Sequence, residues 1–299
     1  MDTRIIKIAR RLKNYFLDSL VKENDISIFL CGGASSSDAT LRRNLGGNIE
    51  EIKSRYRYSV LYPEDMFIEM ILGHQRHDLL TLENLLAESV HAVVILVQSP
   101  GTFTELGAFS NHAKLKNKLI LVIDPRYKKS QSFVMTGPVR YLRKETSSQV
   151  IYEKMKSDNL STLSKNIRKS ARKIRSEYPP VVNLANPIAS YEFYLALIFT
   201  FDPIPRFAVL ELAKILEPDY LDQALTVAET VINNLVNKRD ARLVSDKILI
   251  SKKGLETLYA GSQTDKKQTD IKLKLSGFRM DALKILLRKR KKGVWGVAA

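Results

Sequence analysis

The most apolar run, Ala92-Val93-Val94-Ile95-Leu96-Val97, follows His91 and predicts a strand buried on both faces, as in a parallel sheet. Shorter runs at Ile26–Cys31, Tyr58–Tyr62 and Lys118–Ile123 predict further strands. Between them the apolar positions move to helical spacing. Residues 3–22 carry Ile5, Ile6, Ile8, Ala9 and Leu12 on one stripe, and residues 78–90 carry Leu79, Leu82, Leu85, Leu86 and Val90. A helix over 39–55 is expected to break or end near Gly46-Gly47, and another to run from Pro100 to about residue 116. The alternation predicts an α/β fold, a Rossmann-like (flavodoxin-like) parallel sheet with helices on both faces.

Residues 126–150 are basic and irregular, and 151–180 are polar with helical spacing, with Lys165, Arg168, Lys169, Arg172, Lys173 and Arg175 expected on a solvated face. Pro179-Pro180 ends that segment. After the apolar stretch Tyr191–Phe201, Asp202-Pro203-Ile204-Pro205 marks a boundary. Helices are then expected over 206–217 and 225–236, with two short strands meeting at Ser245-Asp246 before Lys252-Lys253-Gly254. Helix, turn, helix, basic end and β-ribbon in that order resemble a winged helix-turn-helix.

Charge sharpens this division. Of the 299 residues, 48 are Lys or Arg and 32 Asp or Glu, a net charge of +16. Residues 1–150 hold 21 basic and 16 acidic side chains, against 27 and 16 in residues 151–299, so the excess is concentrated in the second half. Such clustering points to a nucleic-acid-binding module joined to something else. The single cysteine excludes an internal disulfide and a multi-cysteine zinc site, and fits a reducing, cytoplasmic setting. His74 and His77 lack partners at metal-ligand spacing, so no metal is expected. There is neither an apolar run of 18 residues nor a signal-peptide core, so no membrane association is expected.

The candidate chemistry lies where the central strand ends. Gln98-Ser99-Pro100-Gly101-Thr102 turns the chain sharply, and Glu105 follows in what reads as the first turn of a helix. Thr102-x-x-Glu105 is also a capping box, in which the carboxylate merely answers a backbone N–H. The first strand runs through Cys31 into Gly32-Gly33, the expected floor of a nucleotide site, but without the third spaced glycine of the dinucleotide fingerprint. Cys31 has no base nearby in sequence and reads as a small residue lining the loop. Tyr62 can stack on a base or fill the core, and Glu64-Asp65 after Pro63 can serve a reaction or start a helix.

Ser-Pro-Gly-Thr-x-x-Glu-Leu-Gly-Ala (99–108) resembles the signature of the nucleoside 2-deoxyribosyltransferase-like N-glycosidases, whose catalytic Glu lies three residues after the Thr. Together with Phe-Leu-Cys-Gly-Gly (29–33), Tyr-Pro-Glu-Asp (62–65) and Leu-Glu-Asn-Leu-Leu-Ala-Glu (82–88), it resembles the toxin effectors of bacterial retron anti-phage systems. The resemblance implies Glu105 as nucleophile and Asp65, or Glu64, as the acid or the residue orienting base or ribose. It also implies a substrate pocket at Cys31, Gly32, Gly33, Tyr62, Ser99, Gly101 and Thr102. Hydrolysis of NAD as substrate, with no further cofactor, is what it implies first. Transfer or hydrolysis on another nucleoside, or a nucleotide-sensing DNA-binding regulator without catalysis, are the alternatives. The implied partners are the retron reverse transcriptase and its branched RNA–DNA (msDNA), and a homo-oligomer is expected. Lys238, Arg239, Arg242, Lys252 and Lys253 are the candidate phosphate contacts. The presumed recognition helix around Thr226–Asn234 is acidic and apolar, which favours backbone or shape binding, or a protein contact, over base reading.

On this reading, residues 1–150 form the glycosidase domain and 151–200 a basic helical connector. A winged helix-turn-helix follows at 201–262, and a basic tail at 263–299.

Overall fold

The computed structural model describes residues 1–22, 25–51, 54–62, 87, 89–178, 183–260, 265–288 and 295. The chain opens with helix α1 (Thr3–Lys22) and then builds five parallel strands: β1 (Asp25–Cys31), β2 (Arg57–Leu61), β3 (Ala92–Leu96), β4 (Leu119–Ile123) and β5 (Gln149–Tyr152). Their spatial order is β2-β1-β3-β4-β5. This is the flavodoxin-like arrangement, which reverses its winding between β1 and β3.

Both faces of the sheet are covered, so β3 and β4 are apolar at every position. Ile26, Ile28 and Leu30 of β1, Val94 and Leu96 of β3, and Ile120 and Val122 of β4 share one core with helix α2 (Ser36–Glu51) and a later helix, α6 (Leu160–Glu177). By the two-residue period of a strand, Val93, Ile95, Leu119 and Leu121 face the other way, where they too are fully buried. Helix α3 (Pro100–Ser110) packs on β3, and after the short α4 (Phe133–Thr136), α5 (Pro138–Glu145) packs on β5 and α3.

The structure departs from the sequence reading in several places. Helix α2 continues through Gly46-Gly47, and the hydroxyl of Tyr62 occupies the place a side chain on Gly46 would need. The boundary expected at residue 150 falls inside β5, and α6 is no connector, because its stripe Leu163, Ile167, Ala171 and Ile174 closes one face of the sheet. Its charge run is divided: Lys165, Lys169, Arg172 and Lys173 are exposed, while Arg168 is buried with its guanidinium 4.4 Å over the Tyr58 ring and bonded to Ser54 Oγ at 2.7 Å. Helix α1 belongs to the second compact unit instead of the sheet.

That second unit joins α1 to everything from α7 (Pro187–Phe201) onward. Strand β6 (Ile204–Pro205) leads into α8 (Arg206–Leu216) and α9 (Leu221–Asn237), followed by the hairpin β7 (Ala241–Val244) and β8 (Lys247–Ile250), then α10 (Lys252–Ala260) and α11 (Asp265–Arg288). The three strands form an antiparallel sheet in the order β6-β8-β7. Ser245 (φ 46°) and Asp246 (φ 61°) make the two-residue turn, the left-handed pair a tight hairpin requires. Ile5, Ile8, Ala9 and Leu12 of α1 are buried in this unit, where α1 packs against α7, α8 and α11. No helix among the described residues is long and apolar enough to cross a membrane.

Candidate functional site

In open α/β sheets ligands bind beyond the carboxyl ends of the strands, where the winding reverses. Here that crevice is flanked by the loop after β1 (32–35) and the loop after β3 (97–99). Cys31, fully buried and paired in register with Ile95, ends β1 and belongs to the sheet interior. Gly32 is held where a Cβ would come 3.3 Å from Leu96 Cδ1 and 2.9 Å from Arg42 Cδ, so the loop lies flat against the end of β3. A Cβ on Gly33 would collide with Asp38, which bonds Ser35 through both its N–H (3.2 Å) and its Oδ2 (2.7 Å) at the start of α2.

The start of α3 decides what Glu105 is available for. Ser99 is the N-cap, with an extended backbone (φ −138°, ψ 161°) and a side chain that accepts from the Thr102 N–H. Thr102, the third helical residue, returns the interaction: its Oγ1 accepts the Ser99 N–H at 2.9 Å and donates to the Ser99 carbonyl at 2.8 Å. The capping box is therefore Ser99–Thr102. Glu105 lies in the second turn of the helix and not the first, outside the cap. Its side chain is half-buried, with Oε2 withdrawn from solvent. Thr102 is buried and its hydroxyl is engaged within the cap, whereas Gly101 is exposed and bare enough for close approach from outside.

Tyr62 takes the second of its two expected places. It is buried in the core shared with α2, with the Arg43 guanidinium 3.9 Å over its ring. Glu64, Asp65, His74, His77 and the Leu-Glu-Asn-Leu-Leu-Ala-Glu block, apart from the helical Ala87, lie outside the described residues. Among the described residues no group of three or more His, Cys, Asp or Glu could hold a metal ion.

One residue at this end of the sheet was missed in the sequence. Arg42 is buried, and its Nη1 donates to the Gly32 carbonyl at 3.3 Å, tying the loop after β1 to α2. The signal was present: Arg42 sits on the same helical stripe as the buried Leu45 and Ile49, where a charged side chain needs a polar purpose.

In the second unit the five basic candidates gather around the C-terminal end of α9, the hairpin and the start of α10. Arg239, Arg242 and Lys252, with Val236, Leu243 and Val244, line an open groove of about 670 Å³. Lys253 also borders it but is committed inward, to the Lys238 carbonyl and, at 3.6 Å, to Asp240 Oδ1. Lys238 stands 5.6 Å over the Tyr191 ring. Asp240 is buried and accepts from Tyr191 Oη (2.8 Å) and Thr257 Oγ1 (3.2 Å), while Gly254 leaves room for the Asp240 carbonyl. The opposite end of α9 is acidic, with Asp219 and Asp222 exposed.

The chain is 32% identical over 267 residues to an Escherichia coli protein named "Retron Ec86 putative ribosyltransferase/DNA-binding protein", covering 85% of each chain. It is 26% identical over 172 residues to the corresponding retron Ec73 protein of the same organism, covering 50% of this chain and 54% of that one. Residues 38–240 match the family model described as STM3845 retron effector protein. With well over half its length inside that match, the chain belongs to the STM3845 retron effector family.

Proposed function

We propose that this retron effector is an N-glycosidase that releases nicotinamide from NAD, with Glu105 as nucleophile. The observation that carries the reading is the position of Glu105: on the helix leaving the central strand at the winding reversal, outside the cap, with one oxygen shielded from water. In the proposed reaction a Glu105 oxygen bonds to C1′ of the ribose as the C1′–N bond breaks, and nicotinamide leaves as a neutral molecule with the bonding pair. Water then attacks C1′, the ester bond to Glu105 breaks, and one proton is released with ADP-ribose. Because the leaving group is neutral, strong acid catalysis is not required. Asp65 or Glu64 is assigned to orient the base or ribose. The half-buried Gly32 and the exposed backbone at Gly101 are assigned to lie against sugar and phosphate, with the buried Gly33 shaping the loop beneath.

The relatives' names speak of ribosyl transfer, which needs only a second base in place of water and favours transferase chemistry as the alternative at the same residues. Those names also speak of DNA binding. Helix α7, strand β6, helices α8 and α9 and the β7–β8 hairpin follow the order of a winged helix-turn-helix. Arg239, Arg242 and Lys252 are proposed to contact phosphates of the retron's branched RNA–DNA, with its reverse transcriptase as the accompanying partner and self-association of the effector.

Incubation of the purified protein with NAD, with free nicotinamide followed by chromatography, tests the enzyme. The expected result is release by the wild type and a loss of at least about 10³-fold in Glu105→Gln. No release by the wild type, alone or with the retron reverse transcriptase and its RNA–DNA, together with undiminished toxicity of Glu105→Gln in cells, removes the glycosidase.

A further inference from the structure

Helix α11 turns one face into the helical unit, burying Leu275, Phe278, Ala282 and Ile285. On its outer face Leu273, Met280 and Leu287 are 72%, 57% and 58% exposed, seven residues apart, and the half-buried Leu283 follows Met280 by three. Apolar side chains at seven-residue spacing, with a further one three residues on, form the seam along which one helix packs against another. Gly277 lies on the edge of this seam, in the middle of a 24-residue helix, where glycine is disfavoured relative to alanine. A Cβ built there meets nothing within 4 Å, so packing among the described residues does not call for the missing side chain. Close approach of another helix would call for it.

Charge identifies the occupant. Lys272, Lys274, Lys284 and Arg288 are exposed along the seam against two carboxylates, Asp270, exposed near its start, and Asp281, which is shared between Lys284 (3.8 Å) and Arg11 of α1 (3.5 Å). A second copy of the same helix would bring four cations from each chain into one seam against two carboxylates from each, a net repulsion. An anionic membrane calls for an apolar arc broad enough to sink into the interface, and this seam is one side chain wide. We infer that the outer face of α11 docks an acidic amphipathic helix of a partner protein, with Leu273, Met280 and Leu287 in its apolar seam and the flanking cations on its carboxylates. This surface is distinct from the glycosidase residues and stands or falls without them.

The test uses the full chain and a fluorescent four-heptad peptide with Leu at both seam positions and Glu flanking them, beside the same peptide flanked by Lys. Anisotropy titration is expected to show the Glu peptide binding at least tenfold tighter than the Lys peptide, and Met280→Glu losing at least tenfold. Gly277→Gln is expected to raise the thermal midpoint while weakening the peptide, separating contact from folding. The inference is overturned if the two peptides bind alike, or if Met280→Glu changes nothing. It is also overturned if sedimentation shows a self-association that Met280→Glu abolishes, or if vesicles of phosphatidylcholine and phosphatidylglycerol bind through these residues while the peptides do not.

Discussion

Thr102 Oγ1 takes the Ser99 N–H at 2.9 Å and gives its own proton to the Ser99 carbonyl at 2.8 Å, so the start of α3 is closed by these two residues. The hydroxyl is buried and engaged on both sides. Thr102→Val is therefore expected to destabilise the protein by about 1–2 kcal/mol, with Thr102→Ser recovering most of it. Urea unfolding of the two variants measures the difference.

Gly46 and Tyr62 are complementary: the helix has no side chain where the ring carries its hydroxyl. Gly46→Ala is expected to cost about 1–3 kcal/mol by overpacking. In a Tyr62→Phe background the same change should cost less, because the hydroxyl is gone and only the ring Cζ (2.9 Å) and Val60 Cγ1 (3.3 Å) still crowd the new methyl. A double-mutant cycle by denaturant unfolding reads this coupling.

His91 gives the fold a defined acid sensitivity. Its Nδ1 accepts the Ser27 N–H at 3.1 Å, and burial first, then Arg175 and Lys118, push its pKa down to about 4. In the unfolded chain the imidazole takes a proton near pH 6.5. Between those values the unfolded state holds more protons, so stability falls as pH drops from 6.5 towards 4 and is unaffected by this group above that window. The loss is on the order of 3 kcal/mol. Unfolding midpoints at pH 7, 5.5 and 4.5 should show that slope, reduced in His91→Gln.

Arg242→Ala is expected to lower the slope of log affinity against log salt for branched RNA–DNA by about 1, as expected for one lost phosphate contact. Asp222→Asn, at the acidic end of α9, should leave that slope unchanged. Lys253→Ala should instead lower stability, since its ammonium is spent on the Lys238 carbonyl and Asp240. Filter binding across a salt series reads the first two variants, and urea unfolding reads the third.

What could be read from the chain follows from how local each signal is. Strands β1 to β4 announced themselves as apolar runs, and β3 and β4, covered on both faces, are apolar at every position, whereas β5, half-buried along its length, was missed. The hairpin was legible from Ser245-Asp246 and α1 from its stripe, both to the residue. The turn after β3 was legible as a helix start, but the capping box that the sequence offered at Thr102–Glu105 lies instead at Ser99–Thr102, since Ser99 and Thr102 are both competent caps and only the backbone of Ser99 decides between them. The need for glycine at position 46 depends on Tyr62, sixteen residues away, and the role of α6 on the sheet face it shares with α2. No window of local sequence contains such facts.

The buried carboxylate of Asp240 has a mechanical meaning. It is gripped by Tyr191 of α7 and Thr257 of α10, and its carbonyl is seated in the gap left by Gly254. The hairpin beginning at the next residue therefore cannot swing as a flap without tearing a charged group from its donors in a dry interior. A pull on its tip is delivered undamped to two helices, so this end of the molecule works as a stiff lever.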